Sequence, residues 1–310
     1  MKKIRTILVT GANSHLGQAI INRLEENVNN SIIAVSRILP PNIVQLAAVR
    51  YMTYDGLFND RNINNIDIII NCAYPRREDA NEENLQQTRV IAQTLMRQGI
   101  ERWNSQLYLN MSCHSVYGEH RVVDVRETTP INVANLDVYA EHKLTTERLL
   151  EDIERVQNGI KLINLRLADM VGGNYSQPII DNLIREALQN RTVTPSNTIN
   201  RYACIDFEDV TNAINRIITS DLNNFTNNAY NLGPIDTFTT QNIAEALNNS
   251  EVIRYLLTSI QENPSLNDEH NGIISHRMSS DALFDILRWR PEISLPMTLE
   301  SRLLELNTNL

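Results

Sequence analysis

Residues 5–10, 31–35, 51–55, 67–73 and 106–111 are short runs rich in apolar and β-branched residues, set off by polar or glycine-bearing stretches. Each reads as a strand. The run at 67–73, with Ile68-Ile69-Ile70 unbroken, has the continuous apolar character of a strand covered on both faces. Between the strands the apolar period changes. Residues 18–26, 81–98 and 137–156 read as helices, the last with Leu144, Leu149, Leu150 and Ile153 at helical spacing. This alternation predicts right-handed βαβ units and a doubly wound parallel sheet of the α/β class, the Rossmann arrangement.

Beyond Leu167 the alternation loosens. A helix is expected over 178–189, a strand over 202–207, and mostly helical structure after about 236 with an Asn/Glu/Ser-rich interruption at 261–272. Residues 203–233 read as a return to the main sheet. The expected division is therefore a dinucleotide-binding domain, 1–168 plus 203–235, and a smaller, mostly helical substrate-binding domain, 169–202 plus 236–310.

In a doubly wound sheet, ligands bind beyond the carboxyl ends of the strands, and the polar positions of interest fall there. The first strand runs into Gly11-Ala12-Asn13-Ser14-His15-Leu16-Gly17 and then a helix. Strand, glycine turn and helix make a phosphate cradle, because the backbone approaches closely and the helix N-terminus presents N–H groups to an anion. Ser14 stands where a middle glycine would be, and its hydroxyl can cap the helix or reach a phosphate. The second strand ends at Ser36-Arg37 with no Asp or Glu. An acid there would hold a ribose 2′-OH, whereas Arg accommodates a 2′-phosphate, so NADP(H) is expected as cofactor, with NAD(H) the alternative. Asp55-Gly56 ends the third strand, Cys72-Ala73-Tyr74 follows the fourth, and Ser112-Cys113-His114-Ser115 ends the fifth. Tyr139 and Lys143 lie four residues apart on the 137–156 helix, so both project from one face. A fixed ammonium beside a phenol favours the phenolate, and such a pair can exchange a proton with a carbonyl or alcohol oxygen.

Composition removes other classes. With 28 basic and 37 acidic residues, a formal charge of −9 and no basic block, no nucleic-acid partner is expected. No apolar run approaches the roughly 20 residues of a membrane span, and the N-terminus enters a β-like run, so a cytoplasmic location is expected. Three cysteines without metal-ligand spacing predict reduced thiols and no metal site.

Taken together, Thr10-Gly11-Ala12 with Gly17, Asn71-Cys72-Ala73, Ser115-Val116-Tyr117-Gly118, Tyr139-x-x-x-Lys143, Leu165-Arg166-Leu167, Tyr230-Asn231-Leu232-Gly233 and Leu287-x-Trp289-x-Pro291 resemble the extended short-chain dehydrogenase/reductases, the nucleotide-sugar epimerase/dehydratase/reductase group. The resemblance implies Tyr139 as general acid/base, with Lys143 holding the nicotinamide ribose. It implies a cofactor site of Gly11, Asn13, Ser14, His15, Leu16, Gly17, Ser36, Arg37, Asp55, Gly56, Cys72, Ala73, Tyr74, Tyr139, Lys143 and Leu167. The family's hydroxyl that polarises the substrate oxygen falls on Cys113, a weak donor; Ser112, Ser115 or the thiol itself would serve. Arg76, His114, Asp169 and Arg201 are the expected substrate contacts, Asp169 standing where the family often has Asn and Arg201 resembling its diphosphate-binding Arg. His114 and Ser115 replace the Asp-Glu of the sugar 4,6-dehydratases, which disfavours dehydration. The expected function is reduction of a keto group on a nucleotide sugar. A nucleotide-sugar epimerase, or an NADP(H)-sensing regulatory protein with weak turnover, are the rivals. Relatives of this kind commonly pair through helices equivalent to 81–98 and 137–156, which makes a homodimer an expectation.

Overall fold

The computed structural model describes residues 4–39, 48–75, 77, 79–118, 124–172, 178–190, 201–251 and 277–308. Seven parallel strands form its centre: β1 (Arg5–Thr10), β2 (Asn30–Ser36), β3 (Val49–Thr53), β4 (Ile68–Asn71), β5 (Leu107–Cys113), β7 (Lys161–Leu167) and β11 (Ala229–Leu232), in the order β11-β7-β5-β4-β1-β2-β3. The chain reverses direction across the sheet between β1 and β4, the crevice where a doubly wound sheet takes its ligand. Short pairs lie outside this sheet: β6 (Asp124–Val125) with β13 (Arg277–Met278), β8 (Asp169–Val171) with β10 (Cys204–Asp206), and β9 (Arg201–Tyr202) with β12 (Phe238–Thr239).

The helices are α1 (His15–Glu25), α2 (Tyr54–Asn59), α3 (Glu82–Gln98), α4 (Val138–Gln157), α5 (Pro178–Asn190), α6 (Phe207–Thr219), α7 (Thr240–Asn249), α8 (Asp281–Leu287) and α9 (Leu295–Thr308). Alternate strand residues sort between two cores. Ile7, Val9, Leu107 and Leu109 pack with Ile20 and Leu24 of α1, Ile214 and Ile217 of α6 and Phe284 of α8; Leu8, Ile69, Tyr108 and Leu162 pack with Leu57 of α2, Leu95 of α3 and Leu150 of α4. No helix among the described residues is long and apolar enough to cross a membrane.

A row of polar side chains interrupts the second of these cores. Thr10, Asn71, Asn110 and Asn164 are register partners across β1, β4, β5 and β7, and each is at most 4% exposed. The Thr10 hydroxyl donates to Asn71 Oδ1 (2.7 Å), Asn71 Nδ2 to Asn110 Oδ1 (3.1 Å), and Asn110 Nδ2 to Asn164 Oδ1 (2.9 Å). Asn164 Nδ2 ends the row on the Glu151 carboxylate of α4 (3.3 Å). Every amide in the row is both donor and acceptor, which is what allows four polar groups to be buried together.

The structure differs from the sequence reading at three boundaries. The α1 helix begins at His15, because the Ser14 side chain caps it by accepting from Gly17 N–H at 3.0 Å. The third strand stops at Thr53, whose hydroxyl accepts from Gly56 N–H at 3.2 Å and opens α2. Asp55 is therefore an exposed acid in a first helical turn, where the helix dipole favours it, rather than the end of a strand. Of the stretch expected to rejoin the main sheet, only Ala229–Leu232 does so; Cys204–Asp206 pairs with β8 instead.

Within the residues expected to form the smaller domain, Ile180, Ile184, Leu188, Tyr202, Phe238, Ile243, Leu247, Leu299 and Leu303 make a third core. Arg302 clamps Asp181 inside it with two contacts of 2.8 Å, tying α9 to α5. Leu283, Phe284, Leu287 and Trp289, by contrast, pack against the main sheet. The 261–272 stretch lies outside the described residues.

Candidate functional site

At the β1–α1 turn the backbone is pressed against β4. Gly11 has φ +67° and an added Cβ would lie 2.8 Å from the Cys72 carbonyl oxygen, while a Cβ on Gly17 would collide with the Gly11 carbonyl. The Ser14 hydroxyl is spent inside the turn, donating to Gly11 O at 2.8 Å and capping α1. Asn13 is exposed and its side chain bonds the Ile38 carbonyl. His15 is exposed, and Leu16 packs into the main core. A glycine turn that brings a helix N-terminus to the sheet crevice fits a dinucleotide pyrophosphate. At the end of β2 the Ser36 hydroxyl is turned in to the Ile38 carbonyl (2.7 Å), and Arg37 is exposed.

The β4 and β5 ends carry the rest. Asp137 caps α4, accepting from Ala140 N–H at 2.7 Å, which sets Tyr139 in the first turn and Lys143 one turn later. Lys143 is 5% exposed. Its Nζ donates to the Met111 carbonyl at 2.7 Å and stands 3.8 Å from the centre of the Tyr74 ring. Burial pushes the ammonium down to about 8, against the opposing pull of Cys113, Cys72 and Glu147. Tyr74 meets Tyr139 edge-on, ring centres 5.3 Å apart. Cys113 is partly buried; burial raises its thiol, with Lys143 and Arg77 and a contact from Ser115 opposing. Ser112 Oγ is buried and has no hydrogen-bond partner. Cys72 is buried beside this cluster, its thiol pushed up to about 12.

His114 and Asp169, expected separately, are brought together. His114 Nε2 lies 3.2 Å from Asp169 Oδ1, linking the end of β5 to the start of β8. Burial would raise the Asp169 carboxyl, but the His114 charge and hydrogen bond, helped by Arg77, outweigh it and hold the carboxyl below the usual range. Leu167 is buried in the main core, register partner of Cys113. Ala73 N–H donates to the Thr10 hydroxyl at 3.3 Å, joining the β4 end to the β1 turn. Asp55 and Gly56 sit in α2 as described. Arg76 lies outside the described residues, as does the side chain of Arg201, the first residue of β9.

One residue the sequence reading passed over is Arg77. Its Nη2 donates to Ser115 Oγ at 2.8 Å and pairs with Asp137 Oδ2 at 3.2 Å, and its guanidinium lies over the Tyr139 ring, 5.3 Å from the centroid. Two adjacent arginines in one loop carry no periodicity that would tell which of them faces the site. Behind the cluster, Arg166 of β7 and Glu147 of α4 form a buried pair (2.7 Å), with Arg166 Nη1 also donating to the Tyr117 hydroxyl at 3.0 Å.

A family model described as the NAD dependent epimerase/dehydratase family matches residues 7–233. No curated protein matches the sequence. Among solved structures, the fold is similar to a UDP-glucuronic acid 4-epimerase from Bacillus cereus in complex with UDP-glucuronic acid and NAD, at TM-score 0.75 and 16% identity over 98% of this chain and 100% of that one. It is similar to a UDP-glucose 4-epimerase with UDP-glucose from Thermotoga maritima, at TM-score 0.74 and 18% identity over 98% and 99% of the two chains. It is also similar to an NAD-dependent NDP-hexosamine 5,6-dehydratase involved in tunicamycin biosynthesis, at TM-score 0.72 and 14% identity over 98% of each.

Proposed function

Since the chain belongs to the NAD-dependent epimerase/dehydratase family, within the extended short-chain dehydrogenase/reductases, we propose that it is an NADP(H)-dependent reductase of a keto group on a nucleotide-activated sugar. The observation that carries this reading is the Tyr139–Lys143 pair, set on one face of α4 with Tyr74 against both, at the open end of β4 and β5. A bound nicotinamide supplies or accepts the hydride. Tyr139 gives its proton to the carbonyl oxygen, and Lys143 keeps the phenol acidic. The turn at Gly11 and Gly17, with Ala73 and Tyr74, would hold the dinucleotide; His114 and Asp169 would face the sugar. Residues 169–202 and 236–310 would supply the substrate-binding part.

The third group is best assigned to Ser115. Its Oγ accepts from Arg77 and its hydroxyl contacts the Cys113 sulfur, a proton that would turn to a substrate oxygen, whereas Ser112 Oγ is sealed in the core. Replacing Cys113 with Ser is therefore expected to change turnover little, and Ser115→Ala to lower it by about 10-fold or more, as loss of one positioned donor does. Steady-state kcat of the two variants checks this; a large loss in Cys113→Ser with full activity in Ser115→Ala would return the role to the thiol.

The NADP(H) preference rests on Arg37, exposed at the end of β2, with Ser36 and Ile38 rather than an acid next to it in the chain. Fluorescence titration with NADPH and NADH is expected to give tighter binding of NADPH, and Arg37→Ala is expected to erase the difference; tighter NADH binding by the wild type would assign NAD. The second reading is epimerisation, favoured by the UDP-sugar 4-epimerases among the structural relatives. The same Tyr139 would then take a proton from an alcohol and return it to the opposite face. A panel of nucleotide sugars and their keto forms, followed by NADPH oxidation and by NMR, separates the two, since isomerisation without net NADPH oxidation identifies the epimerase.

A further inference from the structure

Two cations stand near the Tyr139 ring. Lys143 Nζ is 5.7 Å from the ring centroid and Arg77 Cζ is 5.3 Å from it. Arg77 is held in place by residues of the site itself, Ser115 at 2.8 Å and Asp137 at 3.2 Å. Asp137 is also the cap of α4, so the guanidinium is fastened to the same helical turn that carries Tyr139. Resting on the reading above, we propose that Arg77 is a positioning residue that stabilises the phenolate of Tyr139 and steadies the Ser115 hydroxyl that it bonds, independently of Lys143.

The two cations are not equivalent. Lys143 is buried and sheds its proton near pH 8, so its pull on the phenol fades as the solution becomes alkaline. A guanidinium stays charged throughout that range. A nearby opposite charge favours the ionised form of an acid, and Arg77 supplies one 5.3 Å from the centre of the ring over which a phenolate charge spreads, where Lys143 ceases to. Among the described contacts, Tyr74 from the end of β4 meets the ring, Cys113 and Ser115 from the end of β5 and Asp137 from the cap act on Arg77, and Asp169, paired with His114, also feels the guanidinium charge. Asp137 is the acid that opposes Arg77. Its side chain is 49% exposed against 41% for Arg77 and is bonded to both a helix N–H and Arg77, so solvent screens both charges, and what favours the cation is its place over the ring.

The test reads Tyr139 itself. In full-length protein labelled with 13Cζ-tyrosine, the Tyr139 resonance is assigned by its loss in Tyr139→Phe and titrated in wild type, Arg77→Gln and Arg77→Lys. Arg77→Gln is expected to raise the titration midpoint by about one pH unit, and Arg77→Lys to recover most of that shift. In the alcohol-oxidising direction, the rise of kcat/KM with pH is expected to move upward by the same amount while the melting temperature holds. A midpoint in Arg77→Gln equal to that of the wild type overturns the proposal. A midpoint that moves in a protein that turns over no nucleotide sugar would instead sink the reaction assigned above and leave the effect of Arg77 on the phenol standing.

Discussion

Tyr139→Phe is expected to lower turnover by about 10²–10⁴-fold, the usual worth of a positioned acid or base, while cofactor binding stays nearly unchanged. The substitution removes the phenol oxygen and keeps the ring. The ring is held by the edge of Tyr74 at 5.3 Å and by Arg77 over its face at 5.3 Å, contacts that a phenylalanine retains. Asp137 still caps α4, and Lys143 still reaches the Met111 carbonyl from one turn further on. What disappears is the group able to pass a proton to the substrate oxygen. The measurement pairs NADPH titration by fluorescence with kcat on the best nucleotide sugar of the panel. Activity within a few-fold of wild type would remove Tyr139 from the chemistry, and a lost cofactor affinity would show that the phenol served binding.

Glu147→Gln is expected to destabilise the protein by about 3–5 kcal/mol, because it keeps the shape of the side chain and removes the charge that a buried guanidinium requires. The side chains of Arg166 and Glu147 are 7% and 1% exposed. Burial works against the Arg166 charge, and Glu147 together with Tyr117 outweighs it, holding the guanidinium above its usual pKa. The pair also has a long reach. Arg166 bonds Tyr117, Tyr117 donates to Asn231 of β11 at 2.7 Å, and Asn231 Nδ2 donates to the Ser279 carbonyl at 3.0 Å. Breaking the pair therefore loosens α4, β7 and the connection into α8 together. At roughly 2 °C per kcal/mol for a chain of this size, the melting temperature should fall by roughly 5–10 °C. The double replacement Glu147→Leu with Arg166→Met should lose less than either single change. A Glu147→Gln protein that melts with the wild type would show that Arg166 finds water or another partner.

The outline of this molecule could be read from its chain because strands buried on both faces leave long apolar runs. The 67–73 run and the 5–10 run with its glycine turn were legible for that reason. So was the capped helix of Tyr139 and Lys143, since a four-residue spacing becomes a shared face as soon as the helix forms. The losses came where the deciding interaction is not local. Thr53 reads as a β-branched strand residue until its hydroxyl is seen to cap α2. Cys204–Asp206 has strand composition, but pairing chose β8 over the main sheet. Arg77 is distinguishable from its neighbour only through Ser115 and Asp137, which lie 38 residues and a further helix cap away. The pairing of His114 with Asp169 depends on β5 and β7 being neighbours, which no spacing along the chain announces.

The buried row from Thr10 to Glu151 looks ordinary in sequence, three asparagines in three apolar strands. Hydrophobic side chains alone tolerate a strand that slides or pairs with the wrong neighbour, since one isoleucine packs much like another. Amides do not. A slip of one residue would turn an asparagine to the other face and strand its donor and acceptor in hydrocarbon. Exchanging β4 and β5 would cut the relay between Thr10 and the Glu151 carboxylate. The row thus acts as a proofreading key during assembly, accepting only the sheet order that sets the glycine turn beside Ala73 and the Lys143 helix over Met111.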